Sequence, residues 1–175
     1  VDLGPNYTGA SLGLVVPSYV EEDSIPELAE NASKYDSRIV GIDPGAGMMQ
    51  QTEAMIENDT YGMGDWTLVE GSGATMVAAL GDAISNDEPI VVTGWAPHVK
   101  FARFDLKILD DPQNVFGESE TINTIVREGL EEDQPELYEF LNNMNWSAIE
   151  DEVIGQTMVL ISEGMDADDA AAQVV

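Results

Sequence analysis

The chain contains no cysteine, which excludes disulfides, thiolate metal sites and cysteine nucleophiles. Basic residues are almost as scarce. Lys and Arg together number 6 against 34 Asp and Glu, for a formal net charge of −28 at pH 7. Phosphate neutralisation needs clustered Lys and Arg, so direct nucleic-acid binding is not expected. The same charge opposes docking on an anionic membrane. The single histidine, His98, cannot build a multi-histidine metal site. No G-x-S-x-G or comparable segment pairs it with a nucleophile. A D-x-[DN]-x-[DN]-G calcium loop is also missing. The residues include no membrane-spanning apolar run, and their start is not expected to be a signal peptide. Starting at Val1 without Met, the sequence is expected to be a mature form or an excised piece. These absences leave no catalytic residue, cofactor or metal site to assign.

What is present is enough for one hydrophobic core: 175 residues, 43% of them apolar. A disordered acidic tail would hold far less. So high a net charge repels itself at low ionic strength, and the Debye length shrinks from about 8 Å at physiological salt to about 3 Å at 1 M. The composition therefore implies a surface adapted to salt. The runs Glu131-Glu132-Asp133 and Asp166-Ala167-Asp168-Asp169 read as solvated helix ends.

Along the chain, residues 12–16 (LGLVV) form an expected buried strand that Pro17 stops. Ser24-Ile25-Pro26-Glu27 is a capping-box start for a short helix. Residues 38–42 (RIVGI) predict a strand, 43–47 (DPGAG) a turn and 48–58 a helix. Residues 66–69 (WTLV) predict a second strand. Residues 72–85 predict a helix with Met76, Leu80, Ala83 and Ile84 on one face. Residues 89–93 (PIVVT) predict a third strand, apolar as in a parallel sheet covered on both faces. This alternation implies a right-handed βαβαβ unit, with 104–109 (FDLKIL) as a further, more exposed strand. From about Thr121 the chain reads as helical. Leu137, Leu141 and Met144 form one stripe. Ser147-Ala148-Ile149-Glu150 is a second capping box, opening a helix that Gly164 ends. The Ala-rich stretch 166–175 stops without an evident cap, hinting at further chain beyond it. Trp66 and Trp146 are expected to be packing residues, and the methionines core residues, except Met48 in the turn.

Two segments can carry chemistry. In residues 41–50 (GIDPGAGMMQ), a glycine-rich turn leads from a strand into a helix. It leaves backbone N–H groups unobstructed beside the positive end of the helix dipole, which suits a carboxylate or phosphate. In an open α/β sheet the turn lies at the carboxyl edge, where ligands bind. It lacks the Lys-Ser/Thr of a P-loop and the third Gly of a dinucleotide fingerprint, so a plain tight turn is an equal alternative. In residues 93–101 (TGWAPHVKF), Trp95 follows Gly94 at the end of the third strand, on the same edge. An indole attracts a cation that has no hydrogen-bond donors. Together the two would suit a small zwitterion with a carboxylate and a quaternary ammonium, whereas Trp95 packed in the core is the alternative. His98 reads as a structural or supporting residue.

Taken together, GLVVPSY (13–19), IDPGAGMM (42–49), DWTL (65–68), IVVTGWAPH (90–98), FARFD (101–105), LDDP (109–112) and the Ile122…Arg127…Pro135…Leu141…Trp146 pattern resemble the substrate-binding proteins of glycine betaine/proline betaine ABC transporters. The resemblance implies one α/β lobe of a type II periplasmic-binding-protein-like fold, three-layer α/β/α with a mostly parallel sheet. Family members hold the ammonium in a box of tryptophans from two lobes and the carboxylate partly on amides of a Gly-containing turn. Matched residue by residue, this implies ligand contacts from Trp95, Gly47 and Met48, with Gly45, Gly94 and His98 in support. Val99 departs from members with an aromatic there and takes no role. The segments that carry the family's other box tryptophans, "AW" and "W-x-P-x-x-H", are missing, and Trp66 and Trp146 do not match them.

The expected organisation is therefore residues 1–20 as a return or hinge strand from a missing lobe, 21–118 as the α/β ligand-binding core, and 119–175 as a helical part of the same lobe. The resemblance implies a non-enzymatic component of an importer, outside the membrane and held by an anchor or a permease. Its partners would be a glycine betaine-like ligand, the permease and the missing lobe. Two other readings stay open: a phosphate- or nucleotide-binding Rossmann-like enzyme domain, and an interaction lobe that pairs with a second chain.

Overall fold

A computed structural model of the chain describes residues 1–149 and 151–174. It divides into two compact units, Leu12–Glu118 and Val1–Ser11 with Ser119–Val175. Residues 119–175, however, expected to belong to the same lobe, group with Val1–Ser11 in the second unit. The physical reason is a strand pairing across the length of the chain, described below.

In the larger unit a sheet runs in the order β3-β2-β4-β1-β5. Its strands are the last residues of β1 (Asp2–Pro17), β2 (Arg38–Val40), β3 (Thr67–Val69), β4 (Val92–Ala96) and β5 (Leu106–Ile108). β2 pairs in parallel with both β3 and β4, and β5 pairs antiparallel with Val15–Pro17 at the edge. The sheet is thus mixed, with a parallel centre of the kind a βαβαβ chain must make. The intervening helices are α1 (Ile25–Glu30), α2 (Gly47–Glu57), α3 (Gly73–Ser85) and α4 (Val99–Arg103). The third strand begins at Val92, three residues later than the sequence predicts, and reaches Ala96, so that Gly94 and Trp95 are strand residues.

Alternation along the central strands sorts the core into two apolar clusters, one on each face of the sheet. Leu14 and Val16 join Ile25, Leu28, Tyr35, Ile39, Met55, Trp66, Val91 and Phe116, whereas Val15 and Val92 join Ile42, Met48, Met49, Met76 and Leu80. Trp66 is a core residue, 6.2 Å centroid to centroid from Tyr35.

Caps are legible at two helices. Ser24 accepts from the Glu27 N–H at the start of α1, and the Glu27 carboxylate reaches back to the Asp23 N–H. Ser72 and Thr75 form a reciprocal capping box at α3.

In the smaller unit, Asp2–Ala10 of β1 pairs antiparallel with β6 (Glu120–Ile125) through several register shifts. This corrects the expectation of helix from Thr121. The strand lacks a buried face, its residues being exposed or half-buried, so no apolar alternation announces it. Helices α5 (Leu130–Asp133), α6 (Pro135–Asn142), α7 (Asp151–Ser162) and α8 (Ala167–Val174) follow. Trp146, expected to pack, is 44% exposed. The Ser147 hydroxyl accepts from the Thr8 N–H, and the capping box expected over 147–150 ends on Glu150, which lies outside the described residues. Gly164, with φ +96°, ends α7 in a Schellman arrangement. Its N–H reaches the Ile161 carbonyl, and the Met165 N–H reaches that of Leu160.

Candidate functional site

The parallel pairing of β2 with β4 sets Val40 opposite Val92. Both strands therefore leave the sheet at the same carboxyl edge. β2 runs through Gly41 and the 43–46 turn into α2, while β4 ends in Gly94, Trp95 and Ala96. At Gly41 the close approach of α2 demands glycine: a Cβ would lie 2.4 Å from the Met49 sulfur, which also receives the Ile42 N–H. Trp95 and Ala46 both pack against the cluster that holds Met48, Met49 and Val92. The two sequence segments are thus brought together on one side of the sheet.

α2 begins differently from α1 and α3. Its N-cap is Ala46, whose side chain cannot cap. The first carbonyl of the helix, that of Ala46, receives the Met49 and Gln50 N–H groups. The Gly47 and Met48 N–H groups precede these bonds and belong to the set a helix cannot satisfy internally. A Cβ added at Gly45 or Gly47 would meet nothing within 4 Å, so the approach to this end is open. The Met48 side chain points the other way: it is buried, in place of the expected turn position. What this end offers is its backbone amides and the positive pole of an eleven-residue helix.

Trp95 is half-buried and has two neighbours of its own loop. The His98 ring meets it edge-on, with centroids 4.3 Å apart and planes at 71°. Lys100 places its ammonium 5.0 Å from the Trp95 ring centroid and 5.3 Å from that of Phe101. The Ala96-Pro97 peptide is cis. His98 is the N-cap of α4: its Nδ1 accepts the Lys100 N–H at 3.2 Å. Burial, with a smaller contribution from the Lys100 charge, pushes the imidazole pKa down to about 4. His98 is then neutral at physiological pH, consistent with an accepting Nδ1. Gly94 serves the same packing. A Cβ there would lie 2.5 Å from Val15 Cγ2 and 2.6 Å from Lys100 Nζ.

Lys100 is the residue that sequence reasoning passed over. It is wholly buried, and burial pushes its pKa down to about 8. A signal was available. With three lysines against 34 acidic residues, each lysine that persists is expected to have a specific contact. The other two do: Lys34 pairs with Glu22 at 2.9 Å, and Lys107 pairs with Asp23.

Among the described residues, no helix is long and apolar enough to cross a membrane, and no group of three His, Cys, Asp or Glu is placed to hold a metal ion.

Comparison with known proteins matches this arrangement to one family. The glycine betaine/carnitine transport binding protein GbuC of Listeria monocytogenes is 41% identical over 165 residues, 94% of this chain and 52% of the relative. The crystal structure of lactococcal OpuAC, closed and complexed with glycine betaine, superimposes with a TM-score of 0.83 at 42% identity, covering 99% of this chain and 65% of that one. The ProX glycine betaine/L-proline-binding protein of Borrelia burgdorferi superimposes with a TM-score of 0.82 at 38% identity, covering 99% and 64%. The chain thus spans about half the length of the curated relative and under two thirds of these structures. The fold is that of type II periplasmic binding proteins. The family model for the substrate-binding domain of ABC-type glycine betaine transport systems matches residues 1–175, and the chain belongs to that family.

Proposed function

We propose that the chain is part of the solute-binding component of an ABC importer for glycine betaine or a related quaternary ammonium compatible solute. The observation that carries this reading is the shared carboxyl edge of β2 and β4, where an uncapped helix start and a tryptophan emerge from adjacent parallel strands. The Gly47 and Met48 amides would receive a carboxylate, and the Trp95 face an ammonium lacking hydrogen-bond donors. Gly45 keeps the approach open, Gly94 admits the packing beneath Trp95, and His98 buttresses its edge. Relatives named for glycine betaine or carnitine binding support this assignment. In this reading the protein works outside the cell membrane, extracellular or periplasmic, tethered by an anchor or held by its permease. A further lobe supplies the remaining walls of the aromatic box. Its acidic surface suits the salty medium in which compatible solutes are imported.

The test is calorimetric titration with glycine betaine, followed in parallel by tryptophan fluorescence. Binding by this chain is expected to be weak, because a solvent-exposed cation–π contact contributes only about 0.5–1 kcal/mol. Trp95→Ala is expected to lower affinity several-fold and leave the thermal unfolding transition in place. Loss of folding in that variant would return Trp95 to a packing role. No binding of any betaine, carnitine or choline at millimolar concentration would refute the assignment.

A further inference from the structure

The cation on Trp95 in this structure is the chain's own. Lys100 Nζ lies 5.0 Å from the indole centroid, within the range of a cation–π contact, and 5.3 Å from the Phe101 ring. The surroundings of this ammonium are almost entirely apolar. β1 contributes Val15, β4 contributes Gly94, Trp95 and the Thr93 carbonyl at 3.5 Å, and α4 contributes Phe101. Among the described residues, the titratable group that feels its charge is His98, which is neutral at physiological pH. None of the three ion pairs among the described residues includes Lys100. A buried ammonium without a carboxylate is costly, and an apolar side chain of similar length would fill the same space without that cost.

We propose that Lys100 is a specificity-determining residue of the Trp95 site, a fixed positive charge on one face of the indole that positions the ring and repels a ligand cation bound at its other face. The inference rests on the reading of Trp95 as a ligand wall. Its consequence is a linkage. Two cations on opposite faces of one ring stand about 10 Å apart, and in a partly buried site that repulsion weakens binding on the order of tenfold. Losing the Lys100 proton removes the repulsion. Ligand binding and protonation of Lys100 therefore oppose each other, and affinity for a quaternary ammonium compound rises with pH. The lowered Lys100 pKa, about 8, places that rise between about pH 7 and 9.

The experiment is titration of the chain with glycine betaine at pH 6.5 and 9.5, in wild type and in Lys100→Met. A second ligand, 3,3-dimethylbutyrate, has the same shape and carboxylate but an uncharged tert-butyl group. Wild-type affinity for glycine betaine is expected to rise about tenfold between the two pH values. Lys100→Met is expected to bind it about tenfold more tightly at pH 6.5, with no dependence on pH. For 3,3-dimethylbutyrate the substitution should give no such gain. A merely structural lysine would shift both ligands alike. Glycine betaine binding that is flat with pH in wild type, or no tighter in Lys100→Met, overturns the inference while leaving the ligand assignment intact. Failure of both forms to bind glycine betaine at either pH overturns the assignment and the linkage together.

Discussion

At the scale of single residues, a chain so rich in carboxylates must treat any buried one with care, and Glu22 shows how. It is 5% exposed and accepts bonds from Lys34 at 2.9 and 3.0 Å and from the Tyr35 hydroxyl at 2.6 Å. Burial alone would raise its pKa, but the Lys34 ammonium and the Tyr35 hydroxyl outweigh it and hold the carboxyl below its ordinary value. The sign of the consequence follows. A carboxylate favoured in the folded state contributes stability above its unfolded pKa, and that contribution disappears as pH falls through the lower folded value. Glu22→Gln is expected to cost about 1–3 kcal/mol at pH 7, read from urea denaturation. The gap from wild type should close as pH drops from 5 to 3. An equal gap at both ends would show that packing, not charge, holds this cluster.

At the scale of elements, the contrast among helix starts carries the most information. α1 and α3 open on serines whose side chains serve as caps; the sequence marked α1 by its S-x-x-E at Ser24 and α3 by apolar spacing alone. α2 opens on Ala46 in extended backbone, φ −72° and ψ 142°, a geometry that a capping residue would also adopt. Ala46→Asp is therefore expected to add a cap and stabilise the fold by about 0.5–2 kcal/mol. The new carboxylate would occupy the same amides, so glycine betaine binding should fall at least tenfold. Choline, which has a quaternary ammonium and no carboxylate, should be weakened less. Thermal unfolding together with titration of both ligands checks this. Equal losses for the two ligands would argue against the α2 start as the carboxylate site. β6 was the element the sequence hid. Its residues, Glu120–Ile125, have no buried face and earn their conformation only by pairing with Asp2–Ala10, more than a hundred residues away. Local pattern carries no trace of such a partner.

At the scale of the whole molecule, charge dominates. All three lysines are occupied internally, two in ion pairs and one buried, which leaves little positive charge on the surface to offset 34 acidic residues. Self-repulsion is then relieved chiefly by counterions. The thermal midpoint is expected to rise as NaCl increases from about 0.05 M to about 1 M, where the Debye length is about 3 Å. Calorimetry or circular dichroism in a salt series measures it. A midpoint that falls over that range would contradict adaptation to salt.

The sequence by itself determined what depends on near neighbours. The absence of cysteine and the charge excluded whole classes of chemistry. Apolar runs marked most of the strands of the larger unit. The Ser24 cap and Gly164 marked helix ends, and the Gly-rich turn and Gly-Trp pair marked the candidate site. Only the tertiary structure decided what depends on contacts remote in sequence. It set Trp95 and the start of α2 on one edge, through the parallel pairing of β2 and β4. It grouped 119–175 with the first eleven residues through β1 and β6. It left Trp146 exposed while burying Trp66. And it drove Lys100 beneath Trp95, where glycine at position 94 leaves room for an ammonium. Chain spacing controls which groups can reach one another locally. Burial and charge at a site depend on every segment that packs there.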